Sequence, residues 1–155
     1  DAKFTARATF WKAETEYNLE QYNEAMLSFK QFINNNQAAS TPEITNVNYN
    51  LAYAYFKLKE YENAITYFTN FIGEVKNDNV RKSDAYLRLG DCNFISTKYW
   101  PAMEAYNKAI EMKSVNSDYA AFQKGISYGF VGKNDKKIED LEKELLPKLG
   151  YYISS

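Results

Sequence analysis

The chain has 155 residues, of which 45% are hydrophobic and 17% aromatic, so it is long enough to bury a substantial core. Its 19 basic and 20 acidic residues give a formal net charge of −1, whereas a dedicated nucleic-acid-binding protein usually carries a strong basic excess. This charge balance predicts no nucleic-acid partner. No run of about 18 apolar residues occurs, so we also expect no membrane-spanning segment.

The residues needed for common catalytic sites are scarce. The sequence contains no histidine, which removes Ser-His and Cys-His catalysis and the commonest zinc ligand. Its single cysteine, Cys92, is predicted to be a small buried hydrophobe. Asp84 and Asp91 could share a helix face as an acid/base pair, but Arg88, four residues after Asp84, favours an ion pair. We therefore predict a protein that is not an enzyme, with no cofactor, no metal and no small-molecule substrate.

Apolar residues recur at steps of three and four along almost the whole chain, which predicts one helix after another. Strong polar breaks at 34–43, 76–84 and 113–118 alternate with weaker ones at 19–22, 58–61, 96–99 and 132–135. This alternation predicts helical hairpins joined by longer turns. Ser40 or Thr41 is predicted to cap the third helix with Pro42 in its first turn, and Pro101 to lie in the first turn of a helix beginning near Tyr99.

One twelve-residue pattern occurs three times, as YNEAMLSFKQFI, YENAITYFTNFI and YWPAMEAYNKAI. Its alanines, Ala25, Ala64 and Ala102, are spaced by 39 and 38 residues. Twelve residues before them come three further small residues, Ala13, Ala52 and Gly90. Gly125 opens a fourth unit, in which Lys137 replaces the small residue. Small residues at both places let paired helices approach closely, and the later aromatics Phe29, Phe68 and Tyr106 are predicted to fill the core between them.

This pattern resembles the tetratricopeptide-repeat (TPR) family, whose small and aromatic positions are matched by Ala52, Tyr55, Tyr61, Ala64 and Phe68. The spacing exceeds the family's period of about 34 residues. The resemblance implies an all-α fold, a right-handed α-solenoid of about four helix-turn-helix repeats. We predict a single domain over 1–155, with repeats over approximately 5–40, 42–78, 80–113 and 115–148.

The end of the chain and the style of the repeats add two expectations. The segment 136–148 is predicted to form an ordinary amphipathic helix, and 149–155 to be either a frayed tail or the start of a further repeat of a longer protein. The long units resemble TPR proteins of the bacterial periplasm and outer membrane, which implies that compartment.

The resemblance also implies a binding surface, because the first helix of each TPR pair lines a concave groove that binds a protein or peptide. Helical spacing then selects the inward-facing residues. They are Arg7, Phe10, Glu14, Tyr17, Asn18, Asn46, Tyr49, Tyr53, Phe56, Lys57, Asp84, Leu87, Asp91, Phe94, Ile95, Tyr119, Phe122, Ile126 and Phe130. The best candidates are Tyr49, Tyr53 and Phe56, which lie mid-array.

Some TPR domains bind a partner's C-terminal carboxylate with a clamp of lysines and asparagines. Here Asn18, Asn46 and Lys57 supply only part of such a clamp, so binding of a chaperone tail is not expected. Two alternatives to a binding module stay open. One is a structural spacer or oligomerisation arm of a larger bacterial envelope protein, and the other is the helical domain of a cell-wall enzyme.

Overall fold

The computed structural model describes residues 1–132 together with residues 143, 144 and 147. All regular structure in this part is helical, and no strand occurs in it. The α-helices are α1 (Ala2–Asn18), α2 (Tyr22–Ile33), α3 (Val47–Lys57), α4 (Tyr61–Glu74), α5 (Asn79–Ile95), α6 (Tyr99–Glu111) and α7 (Ser117–Val131). The predictions for Lys137, for most of 136–148 and for the tail 149–155 lie outside the described residues.

The chain divides into two compact units, Asp1–Lys76 and Asn77–Ser155. In the first unit α1 packs on α2, α2 on α3, and α3 on α4. In the second unit α5 packs on α6, and α6 packs on α7. Each helix therefore packs mainly against its neighbours along the chain. The predicted extent of a single domain and of its four repeats stays a prediction.

The hairpins α1–α2, α3–α4 and α5–α6 share one turn geometry. At the end of α5, Thr97 adopts a φ of 61°, its N–H donates to Phe94 O at 3.0 Å, and Lys98 N–H donates to Asn93 O at 2.8 Å. This is the Schellman motif, which satisfies carbonyls at the end of a helix and reverses the chain. Glu20 and Lys59 hold the same φ of 61° with matching hydrogen bonds. The repeated sequence therefore encodes a repeated turn.

The core lies where the repeat pattern predicted it. Ala13, Ala52, Ala25, Ala64 and Ala102 are fully buried, as are the aromatics Phe29, Phe68 and Tyr106. Gly90 is buried so close to Tyr106 that a Cβ at that position would lie 2.6 Å from the ring. Cys92 is also buried, which confirms its prediction as a small core residue.

The start of the third helix differs from the prediction. Pro42–Thr45 forms a separate 3-10 turn, and α3 begins at Val47 after Asn46, so the predicted capping by Ser40 or Thr41 is wrong. Thr41 Oγ1 instead donates to Ala38 O at 2.7 Å. Within this turn the carboxylate of Glu43 accepts hydrogen bonds from Arg7 and Trp11 of α1, a tertiary contact that the capping rules for a single helix do not include. The other prediction is confirmed, since α6 begins at Tyr99 and includes Pro101 in its first turn.

No helix among the described residues is both long and apolar enough to cross a membrane. Over the same residues, no group of three or more histidine, cysteine, aspartate or glutamate side chains has the placement needed to hold a metal ion.

Candidate partner-binding site

A pocket of about 230 Å³ lies between α1 and α3 of the first unit. Its walls carry one carboxylate, two amides and three phenol rings. The lining residues are Glu14, Tyr17 and Asn18 from α1, and Tyr49, Asn50 and Tyr53 from α3. Five of these six belong to the predicted groove set. The sequence pattern did not point to Asn50, because this residue directly follows Tyr49 and so lies outside the helical face that the spacing rule selected on α3.

The aromatic wall of the pocket is fixed from behind by the core. The Tyr49 ring centroid lies 4.9 Å from that of Phe71, and the Tyr53 centroid lies 5.2 Å from that of Phe68. The two tyrosine rings also contact each other edge to face, with centroids 5.1 Å apart. Phe68 and Phe71 are buried, so they hold both rings in place before any partner arrives.

The polar part of the pocket centres on Glu14. Asn50 Nδ2 donates a hydrogen bond to Glu14 Oε1 across the pocket. Partial burial raises the pKa of the Glu14 carboxyl, and the hydrogen bond from Asn50 opposes that rise without cancelling it. The carboxylate is therefore held in a place where its charge is poorly solvated.

Two other predicted residues of α1 have different surroundings. Phe10 is 2% exposed and packs edge to face against Phe32 at 5.3 Å, so its assignment to a partner-contacting surface is corrected to core. Arg7 Nε lies 2.9 and 3.2 Å from the two carboxylate oxygens of Glu43, and Trp11 Nε1 donates to Glu43 Oε1 at 3.1 Å. Burial opposes ionisation of Glu43, yet these hydrogen bonds lower the pKa of its carboxyl overall.

The remaining predicted residues of α3 and its N-terminus do not line the pocket. Phe56 is partly buried between Tyr53, at 6.3 Å, and Tyr61, at 5.9 Å. Lys57 is exposed at the end of α3. Asn46 Oδ1 is buried and accepts no hydrogen bond from the residues that the structure describes.

In the second unit, two predicted surface residues are buried. Leu87 is 1% exposed and belongs to the core cluster around Tyr106. Asp91 is 5% exposed and accepts hydrogen bonds from Tyr106 Oη at 2.7 Å, Tyr119 Oη at 3.0 Å and Arg88 Nη1 at 2.9 Å. Burial, and then the charge of Asp91, raise the pKa values of Tyr106 and Tyr119, so both phenols stay protonated as donors. Leu87 and Asp91 are therefore corrected to structural residues.

The other predicted residues of this unit are more accessible. Phe94 is partly buried, with its ring 5.6 Å from Tyr99 and 6.2 Å from Phe130, and Asp84 is also partly buried. Five of the predicted residues are exposed hydrophobic side chains, one at the end of α5 and four along α7. They are Ile95, Tyr119, Phe122, Ile126 and Phe130. Whether these residues or the pocket bind a partner stays a prediction.

Comparison with known proteins identifies the class of repeat. The tetratricopeptide-repeat family model matches residues 45–73 and 81–116, the stretches that contain α3–α4 and α5–α6. These two stretches are therefore tetratricopeptide repeats. A search of curated proteins gave no significant match.

The fold is shared with solved structures of other proteins. The crystal structure of MamA is similar with a TM-score of 0.71 and 24% identity, over 97% of this chain and 81% of that one. BtubC (BKLC) from P. vanneervenii gives a TM-score of 0.71 and 13% identity, over 100% of this chain and 67% of that one. The first TPR of Spaghetti (RPAP3), bound to the HSP90 peptide SRMEEVD, is similar with a TM-score of 0.56 and 19% identity. The similarity covers 97% of this chain and 94% of that one. The chain thus has an all-α fold, an α-solenoid of helix-turn-helix repeats.

Proposed function

We propose that this chain is a non-enzymatic interaction scaffold that binds a peptide or a partner helix along the first helices of its repeats. The observation that carries this proposal is the α1–α3 pocket, where Tyr49 and Tyr53 are fixed in place by buried phenylalanines. Tyrosine offers a large contact area with few rotatable bonds, so little conformational entropy is lost when such rings bind a partner. Tetratricopeptide repeats generally serve as interaction scaffolds, and one similar structure is bound to a peptide.

The partner is proposed to differ from an acidic C-terminal tail. The pocket contains the carboxylate of Glu14, and none of its six lining residues is basic. A ligand carboxylate placed there would meet a like charge in a partly buried site, which costs binding energy.

The test is selection from a displayed library of random peptides on the full chain, compared with a Tyr53→Ala variant. Tyr67→Ala is the matched control, because Tyr67 also loses a ring contact, at 5.5 Å with Tyr55, but does not line the pocket. Circular dichroism confirms that each variant keeps its helices. We expect selected peptides to bind the Tyr67 variant normally and the Tyr53 variant at least about tenfold more weakly. Equal binding to all three proteins would refute the pocket as the working surface.

A second candidate function is self-association as the arm of a larger assembly. The observation favouring it is the row of exposed hydrophobic side chains along α7, including Phe122, Ile126 and Phe130. Under this alternative the chain forms a defined oligomer in sedimentation equilibrium, and Ile126→Ser returns it to the monomer. A monomeric chain at high concentration would reject it.

The compartment is also a proposal. We propose the bacterial envelope, supported by the likeness of the long repeat units to envelope TPR proteins. Capture of a partner from envelope extract, and not from cytoplasmic extract, is the expected result, and the reverse pattern would contradict it.

A further inference from the structure

We infer that the α1–α3 pocket takes a basic side chain of the partner, with the guanidinium group of arginine as its best occupant. This inference rests on the proposed function, since it specifies one residue of the peptide that the scaffold binds. The volume of about 230 Å³ exceeds the roughly 30 Å³ that a water molecule occupies in the liquid by several-fold, so the pocket accepts a group of several heavy atoms.

Charge gives the first reason. Glu14 brings a carboxylate to the pocket, and the other lining residues are tyrosines and asparagines, which carry no charge at neutral pH. Glu14 accepts its hydrogen bond from the neutral amide of Asn50. A ligand cation would therefore be attracted by an ionised partner in a site where solvent screening is reduced.

The chain itself shows how it stabilises other carboxylates of low exposure. Glu43 is paired with the guanidinium of Arg7 at 2.9 Å and with the indole N–H of Trp11, and Asp91 is paired with Arg88. In both cases an arginine and an aromatic side chain surround the carboxylate. The carboxylate of Glu14 lies in a pocket lined by tyrosines, and a guanidinium from a partner would supply the arginine that Glu43 and Asp91 each have within the chain.

The aromatic rings give the second reason. Tyr17, Tyr49 and Tyr53 line the same pocket as the carboxylate. A cation is attracted to the face of a tyrosine ring, and the planar guanidinium group also stacks on it. Because the core fixes Tyr49 and Tyr53, binding does not first have to order them. The asparagine side chains add amide oxygens that accept N–H donors from the bound group.

The direct test uses small probes with the full chain. N-acetyl-arginine amide and N-acetyl-citrulline amide are titrated into labelled protein, and amide chemical shifts on α1 and α3 are followed by NMR. Citrulline keeps the shape of arginine but carries no charge. We expect saturable shifts with arginine and binding about tenfold or more weaker with citrulline. Equal affinity for the two probes, or no saturable shift with arginine, would overturn the inference.

Two variants locate the effect. Glu14→Gln removes the charge while keeping an oxygen that accepts from Asn50, and we expect it to lose about tenfold or more in arginine affinity. Glu24→Gln makes the same charge change at an exposed position of α2, and should bind arginine like the unmodified chain. Unchanged affinity in the Glu14 variant, with an intact circular dichroism spectrum, would refute the assigned role.

The peptide selection separates this inference from the proposed function. Selected peptides that share a basic residue and lose affinity with Glu14→Gln support both. Peptides that require Tyr53 but contain no common basic residue would overturn the inference and leave the interaction scaffold standing. Failure to select any peptide, together with no response to the arginine probe, would reject both.

Discussion

Replacing Gly90 by alanine should test the packing between α5 and α6 in a single step. A Cβ at this position would lie 2.6 Å from both Cδ1 and Cε1 of Tyr106, and 2.9 Å from Cζ. Carbon atoms in ordinary contact are about 3.5–4.0 Å apart, so the ring must retreat by roughly 1 Å. It has little room to do so, because Tyr106 is fully buried and its hydroxyl donates to Asp91 at 2.7 Å.

The magnitude follows from opposing terms. Overpacking a well-packed core costs about 1–3 kcal/mol, and a weakened buried hydrogen bond adds about 1 kcal/mol. Alanine in place of glycine within a helix returns about 1 kcal/mol. The last two terms nearly cancel, so we expect Gly90→Ala to lower the free energy of unfolding by about 1–3 kcal/mol. For a chain of 155 residues, each kcal/mol corresponds to a fall of about 2–4 °C in Tm.

Urea unfolding followed by circular dichroism measures the effect, with Gly129→Ala in the same unit as the control. Nothing lies within 4 Å of a Cβ at Gly129, so that substitution should stabilise by up to about 1 kcal/mol through helix propensity alone. In the Tyr106→Phe background, which has the residue types found at Ala13 and Phe29 of the first repeat, Gly90→Ala should lower the free energy of unfolding by less. The ring there is no longer held by a hydrogen bond to Asp91 and can move away from the new Cβ. The reasoning is refuted if Gly90→Ala is as stable as the unmodified chain or more so.

Three further predictions concern turns and charges. Thr97→Gly should stabilise the protein by about 0.5–1 kcal/mol in urea unfolding, since a β-branched residue with φ of 61° is strained. Lys59 has the same φ, so unchanged urea midpoints in both Thr97→Gly and Lys59→Gly would contradict that strain. Glu14→Gln should raise Tm at pH 7 but not at pH 4. Burial raises the pKa of the Glu14 carboxyl, so its destabilising charge forms only as the pH rises through the folded pKa. An equal rise in Tm at both pH values would show another cause. Glu43→Gln should lower the free energy of unfolding by about 1–2 kcal/mol at pH 7 through loss of the ion pair with Arg7. This loss should become smaller as the pH falls through the lowered folded pKa of Glu43, and a loss that grows on acidification would refute the assignment.

The repeat register could be predicted because it depends on residue size at fixed spacings. The small residues Ala13, Ala52 and Gly90 are all buried, as are the large residues Phe29, Phe68 and Tyr106, and Gly90 lies directly against Tyr106. Helices α2, α4 and α6 begin at Tyr22, Tyr61 and Tyr99, as the quoted pattern does. Close packing of two helices permits few combinations of small and large residues, so the sequence carries that information directly.

Burial within the predicted groove was less predictable, because helical spacing gives the direction of a side chain but not the depth of what covers it. Phe10 and Leu87 satisfy the spacing rule and are core residues. Glu43 is buried by a 3-10 turn in a polar segment whose composition predicted only a loop and a cap. Asn50 lines the pocket because α1 and α3 present side chains to each other, which is a tertiary relation that the spacing within one helix does not contain.

The buried position of Cys92 has a practical consequence for measuring motion in this protein. It is the only cysteine of the chain and is fully buried in α5. A thiol-labelling reagent can reach it only when the surrounding helices separate, so the labelling rate reports how often the second unit opens. When closing is faster than labelling, that rate gives the free energy of opening at one atom, without any introduced probe. The labelling rate of the native thiol therefore measures the opening of the helices around Cys92 in the second unit.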